Sequence, residues 1–344
     1  MGSTSKINIG IAMGDPNGIG LELVLKIFED RRMFDFFSPV LFAPPALVNF
    51  HKKHLNYTTS VQSLSKGQKP HRGKLNIAPV NTPECKVQFG TIDPLAGQAA
   101  VASLRVATAA LKAKTIDALV TAPIHKKAIQ SDNFSFPGHT QFLASVLEGD
   151  SLMLMISGSL RVALVTDHIP VKAVSETIDA PLLSKRIEQF YKSLQYDFGI
   201  TKPKIAVLGM NPHAGDAGVI GEEDDTVLRP VIAEFQEKGQ LIYGPYAADS
   251  FFGSGTAAGF DGVLAMYHDQ GLIPFKTLSF GQGVNFTAGL SAVRTSPDHG
   301  TAFEIAGQGV ADPESFKAAL FAAKEIYGQR QVAAQTEEVV PTES

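Results

Sequence analysis

Three histidines in this chain stand in the same local setting. His168 follows the apolar run of R-V-A-L-V-T-D-H, His213 follows that of K-I-A-V-L-G-M-N-P-H-A-G, and His268 follows that of D-G-V-L-A-M-Y-H-D-Q-G. Neutral imidazole is the commonest metal ligand, and three protein ligands leave coordination positions open for a substrate. If the three runs are strands of one open α/β sheet, the histidines sit at the carboxyl ends where ligands bind, and one divalent ion could gather them. If the runs are unrelated, the same residues are loop-edge side chains bonded to nearby backbone. Beyond His268 come the carboxylate of Asp269 and the ammonium of Lys276. Gly271 and Pro274 predict that these groups lie on a turn rather than in regular structure.

The elements that must position such groups are visible as apolar runs. Ile7–Met13, Pro39–Ala43, Ala118–Thr121, Lys204–Gly209 and Val263–Met266 predict short strands, mostly buried. Met153–Ile156 and Arg161–Thr166, parted by S-G-S-L, predict a hairpin and hence an antiparallel pair in a mostly parallel sheet. Helices are predicted over Ala99–Lys112, from His139 through Leu147, over Pro181–Phe190 and over Val227–Lys238, with 214–226 as a solvated loop. The loop G-D-P-N-G-I-G, between the first strand and a helix carrying Leu23, Val24, Ile27 and Phe28, either offers N–H groups to an anion or is a plain tight turn. It is not G-x-G-x-x-G, and no phosphate loop ending in G-K-[ST] occurs. T-A-P-I-H-K-K and F-P-G-H-T read as cleft lining, although His125, Lys126 and Lys127 also fit a solvated basic patch. The region from Phe50 to Gln88 yields no assignment, and an apolar run over Thr287–Arg294 precedes S-P-D-H-G-T-A and an amphipathic segment reaching Tyr327.

At 344 residues with 44% hydrophobic and 19% charged side chains, the chain can bury a large core but exceeds the usual size of one, so two lobes are expected. Thirty basic against 34 acidic residues give a net charge of −4, which offers no reason to invoke nucleic acid or an anionic membrane. Cys85 is the sole cysteine, so no intrachain disulfide can form; a cytoplasmic setting and a buried, inert thiol are expected. The start M-G-S-T-S-K-I-N-I-G-I-A-M lacks the apolar core of a signal peptide, and no apolar run reaches membrane-spanning length.

Taken in order, G-D-P-N-G-I-G, V-T-A-P-I-H-K, F-P-G-H-T, V-T-D-H-I-P, N-P-H-A-G, G-P-Y-A-A-D, Y-H-D-Q-G-L-I-P-F-K, G-V-N and V-R-T-S-P-D-H-G-T-A resemble the 4-hydroxythreonine-4-phosphate dehydrogenases of vitamin B6 biosynthesis. The likeness runs from about Ile7 to Tyr327, with departures at Asn17 and Leu21, where relatives often carry alanine and proline. It implies a two-lobed α/β fold like that of isocitrate and isopropylmalate dehydrogenases, with mixed, mostly parallel sheets and a cleft between lobes. Residues 1–125 with 285–330 would form the first lobe, 126–284 the second with the metal ligands and dimer interface, and 331–344 a disordered tail.

The implied reaction oxidises the hydroxyl of 4-phosphooxy-L-threonine with NAD or NADP. Carbon dioxide is then lost, leaving 3-amino-2-oxopropyl phosphate. His168, His213 and His268 match the family's metal ligands, for zinc, cobalt or magnesium, in a homodimer whose site is completed across the interface. His139, Thr140, Lys276, Asn285 and Arg294 match its substrate-binding positions. A divalent ion polarises the reacting oxygen, while Lys276 and Arg294 provide fixed charge for a phosphate or carboxylate. Asp269, Asp249 and Lys276 are the candidate catalytic groups; the two aspartates could orient a ligand, take the hydroxyl proton, or only cap a turn. Two other activities use the same residue types: oxidation of threonate or erythronate 4-phosphate, and a metal-dependent lyase without nucleotide. A binding protein with a structural metal is a third reading.

Overall fold

In the computed structural model, residues 6–131, 134–136 and 138–339 are described, so the first five residues, Pro137 of F-P-G-H-T and the last five of the predicted tail lie outside the described residues. The strands in chain order are β1 (Ile7–Ala12), β2 (Phe37–Ala43), β3 (Val61–Ser63), β4 (Leu75–Pro79), β5 (Ala118–Thr121), β6 (Gly149–Ser157), β7 (Leu160–Leu164), β8 (Lys204–Leu208), β9 (Leu241–Tyr246), β10 (Gly262–Ala265), β11 (Val284–Leu290) and β12 (Val293–Pro297). The chain divides into two compact units. One holds the residues up to Asp150 with Leu290–Tyr327, the other Ser151–Gly289 with the chain from Gly328 onward.

The first unit carries the strand order β3-β4-β2-β1-β5-β12, every pair parallel. Ile9, Ile11, Leu119 and Val120 have no exposed surface, as expected of strands covered on both faces. The helix Pro94–Lys112 starts five residues earlier than the apolar stripe predicts. Asp93 caps it by accepting the Leu95 N–H at 2.9 Å, and Pro94 follows where its missing N–H costs nothing. The boundary between units falls after Asp150 rather than at 125. Ile129, Phe134, Phe142, Leu143 and Leu147 share a core with Leu104, Ala107 and Leu111, which binds the segment 126–147 to the first unit. The stretch without assignment contains the end of the helix Pro45–His54 and the short strands β3 and β4.

The second unit carries β6-β7-β10-β8-β9 with β11 next to β6. Its β6–β7 hairpin is antiparallel and the pairs β7–β10, β10–β8 and β8–β9 are parallel. The expected turn after His268 is instead the helix His268–Ser279, with Pro274 inside it. Gly271 is there for close approach, not for a turn: a Cβ would stand 2.8 Å from Leu164 Cδ2 and 3.0 Å from Ala265 Cβ. Pro274 lies in the helix interior, where its missing N–H leaves the Gln270 carbonyl without the usual intrahelical bond.

The expected disordered tail is helical to Val339, within Glu314–Val339. Arg330 Nε bonds the nearly buried Asp197 carboxylate at 2.6 Å, a tertiary anchor that a polar, aperiodic sequence does not advertise. Residues 214–226, expected to be solvated throughout, enclose Asp224 with no exposed surface. The run Thr287–Arg294 is split into β11 and β12.

Candidate active site

In the second unit the three histidines leave adjacent parallel strands at the same edge. His168 comes four residues after β7, His268 three after β10 and His213 five after β8, and these strands lie in the order β7-β10-β8. The Val165 N–H donates to the Ala265 carbonyl at 2.8 Å and that of Thr166 to Met266 at 3.1 Å, so β7 and β10 stay paired past their ends. The rings of His168 and His268 thereby come to 5.7 Å between centroids.

Each of those two rings has its own carboxylate. His268 Nδ1 donates to Asp269 Oδ1 at 2.7 Å, and His168 Nδ1 lies 3.5 Å from Asp167 Oδ2. The hydrogen bond from His168 holds Asp167 at about pH 2, below the usual carboxylate range. A carboxylate on Nδ1 fixes the tautomer that presents the Nε2 lone pair, the common arrangement around metal-bound histidine. By donor type and tautomer, His168 and His268 therefore fit two ligand positions. Among the described residues, no group of three or more His, Cys, Asp or Glu side chains lies close enough to hold an ion.

His213 is exposed and begins a left-handed run: φ is positive at His213, Ala214, Gly215, Asp216, Ala217 and Gly218. L-residues enter this region at a cost, so the surroundings must impose it. Asp224 holds the segment that leads into this run. Its buried carboxylate accepts the N–H groups of Met210 at 2.8 Å and Asn211 at 3.0 Å, and the Asn211 side-chain amide at 3.0 Å. Asp224→Asn puts an NH₂ against those donors. The expected loss is about 2–4 kcal/mol of stability, read as a lower urea midpoint; an unchanged midpoint would show that the loop does not depend on this carboxylate.

Gln270 ties the exits of β8 and β10 together. Its Oε1 accepts the Met266 N–H and its Nε2 donates to the Gly209 carbonyl, both at 2.7 Å. Of the remaining groups predicted here, Asp249 and Asp269 are exposed, Lys276 is exposed in the last turn of its helix, and Asn285 is half-buried near the start of β11.

In the first unit, His139 and Thr140 occupy the first turn of the helix His139–Val146, whose leading N–H groups favour an anion. Arg294, on β12, is 2% exposed and reaches Thr121 on β5; Thr121 Oγ1 accepts from its Nη2 at 2.6 Å and its Nε at 3.1 Å. Burial lowers Arg294 to about 9, still charged at neutral pH. Burial, and then the charge of Arg294, push His139 well below the usual imidazole range, and its Nε2 is enclosed without a hydrogen-bond partner. A cation held in a dry setting gains more from an anion than one already in water.

Residues 35–323 match the family model described as Pyridoxal phosphate biosynthetic protein PdxA. The chain belongs to this family. A 4-hydroxythreonine-4-phosphate dehydrogenase from Bacteroides thetaiotaomicron is 45% identical over 95% of this chain and 90% of its own length. A relative from Cutibacterium acnes, named as a D-threonate 4-phosphate dehydrogenase, is 37% identical over 92% of this chain and 93% of its own. Among solved structures, the 4-hydroxythreonine-4-phosphate dehydrogenase of Klebsiella pneumoniae superposes with a TM-score of 0.82 at 32% identity, covering 95% of this chain and 99% of that one.

Within the PdxA family frame, the glycine loop is a packed turn. The N–H groups of Asn17, Gly18 and Ile19 go to Asp15 Oδ1, the Asp15 carbonyl and the Thr301 carbonyl, which leaves none of the three for an anion. Asn17 has its own use: its side chain donates to the Thr91 carbonyl at 3.0 Å and accepts the Gln88 N–H at 2.8 Å, clasping the 88–91 segment. Leu21 fills the core. His125 stacks on Phe303 at 5.1 Å, whereas Lys126 and Lys127 are exposed. Cys85 is half-buried, and burial pushes its thiol up to about 11, so it is no nucleophile at neutral pH. Asp167, Asp224 and Gln270 escaped the sequence reading, although the D-H and H-D-Q neighbours of His168 and His268 carried a signal for two of them.

Proposed function

We propose that the protein is a 4-hydroxythreonine-4-phosphate dehydrogenase: it oxidises 4-phosphooxy-L-threonine with NAD or NADP and releases carbon dioxide, in the cytoplasm, as a step of pyridoxal phosphate biosynthesis. The observation that carries this reading is 45% identity to a dehydrogenase of that name over nearly the whole chain. A bound divalent ion supplies a Lewis acid for the reacting oxygen, and the nicotinamide supplies the hydride acceptor. His168 and His268 hold the ion, and His213 of a second copy completes the ligand set. Asp167 and Asp269 keep the first two imidazoles in the ligating tautomer. Arg294 and Lys276 take the anionic ends of the substrate, His139, Thr140 and Asn285 give it neutral hydrogen bonds, and Asp249 is the candidate to take the hydroxyl proton.

The D-threonate name of the Cutibacterium acnes relative supports a second reading, in which the substrate bears a hydroxyl instead of an amino group. Steady-state kinetics on both phosphorylated acids decides between them. A higher kcat/KM for 4-phosphooxy-L-threonine is expected, and a higher value for D-threonate 4-phosphate would replace that assignment.

The dimer is supported by apolar side chains left exposed in the second unit: Val171 at 72%, Val219 at 80%, Ile273 at 64% and Phe280 at 86%. Phe280 ends the helix that His268 begins. Phe280→Glu is expected to halve the mass seen by light scattering, since a charge buried in an apolar interface has no partner. An unchanged mass would remove Phe280 from the interface.

A further inference from the structure

The motif V-T-A-P-I-H-K contains a residue to which no role is attached, the fully buried Thr121. Arg294 pairs with Leu119 in the parallel register of β12 and β5, and Thr121 lies two residues further along the same face, at the carboxyl end of β5. The arginine side chain therefore runs along its neighbour toward the ligand-binding edge and meets the hydroxyl there. One oxygen accepts from both Nε and Nη2, so it fixes the rotation of the guanidinium plane as well as its reach. Nη1 is outside this contact.

We propose that Thr121 is a positioning residue for substrate binding, setting the angle at which Arg294 meets the anionic group of a phosphorylated hydroxy acid. This rests on the reading of Arg294 as a substrate-binding residue. A planar fork is useful only when it faces its partner in the right plane, so rotation alone weakens a bidentate contact. The methyl of Thr121 is buried with the rest of the side chain but makes no hydrogen bond, so a variant can separate the two groups.

The test is steady-state kinetics on 4-phosphooxy-L-threonine with Thr121→Val, Thr121→Ser and Arg294→Lys, singly and with the first and third combined. Thr121→Val keeps the shape and removes the acceptor; KM is expected to rise about tenfold, with a smaller change in kcat. Thr121→Ser, which restores the oxygen, recovers most of that loss. In the Arg294→Lys background, which lacks the fork, Thr121→Val is expected to add less than about twofold, because both changes remove the same contact. Thr121→Ala replaces Thr121→Val in the same comparison if the latter does not fold. If Arg294→Lys impairs binding but neither Thr121 variant does, or if their effects simply multiply, the positioning role is overturned while the reading of Arg294 stands. A silent Arg294→Lys overturns both.

Discussion

On the proposed ligand set, His268→Ala is expected to reduce turnover by about a thousandfold or more and to release the bound metal, because it would remove a ligand and not merely a neighbour of one. Asp269→Ala should be milder, about ten- to a hundredfold in metal affinity, since it leaves the imidazole and removes the carboxylate that holds its tautomer. The pair His168 and His268 stand 5.7 Å apart within one chain while no third ligand joins them among the described residues, which leads to a sharper expectation. His213→Ala and His268→Ala homodimers should both be inactive. A heterodimer of the two, isolated with two different tags, has one site with both defects and one with neither, and should recover about half of wild-type turnover. If all three ligands came from one chain, the heterodimer would be as dead as its parents.

Arg294→Lys is expected to lower kcat/KM for the phosphorylated substrate by about tenfold or more, about 1.4 kcal/mol, without loss of metal. Two effects add. Lysine has no planar fork for the substrate or for Thr121, and at a site with 2% exposure an ammonium is easier to deprotonate than a guanidinium, which burial lowers only to about 9. Metal content by elemental analysis and the thermal midpoint should match wild type. A variant that lost metal as His268→Ala does, or was kinetically silent, would mean that Arg294 does not serve the substrate.

The parts of this site that follow from local patterns were legible in the sequence. A histidine after an apolar run remains after a strand when the run folds, and the three runs became adjacent parallel strands with their histidines at one edge. Ala118–Thr121 and the S-G-S-L hairpin emerged where their patterns put them. What sequence did not give depends on neighbours distant along the chain. Gly271 looks like a breaker until Leu164 and Ala265 are seen against it, and Asp224 looks solvated until the backbone of Met210 and Asn211 is seen bonded to it. The 126–147 segment reads as the start of a second lobe, yet its phenylalanines and leucines pack on the helix Pro94–Lys112. The polar end of the chain stays helical through Arg330 and Asp197, 133 positions apart.

The most direct test of the account is one assay on purified, metal-loaded protein with 4-phosphooxy-L-threonine and NAD, following the reduced-nicotinamide absorbance and the released carbon dioxide together. Both are expected in equal amounts, and both are expected to stop on chelation and to resume when a divalent ion is restored. Substrate cleavage without nicotinamide reduction would identify a lyase instead and contradict the account.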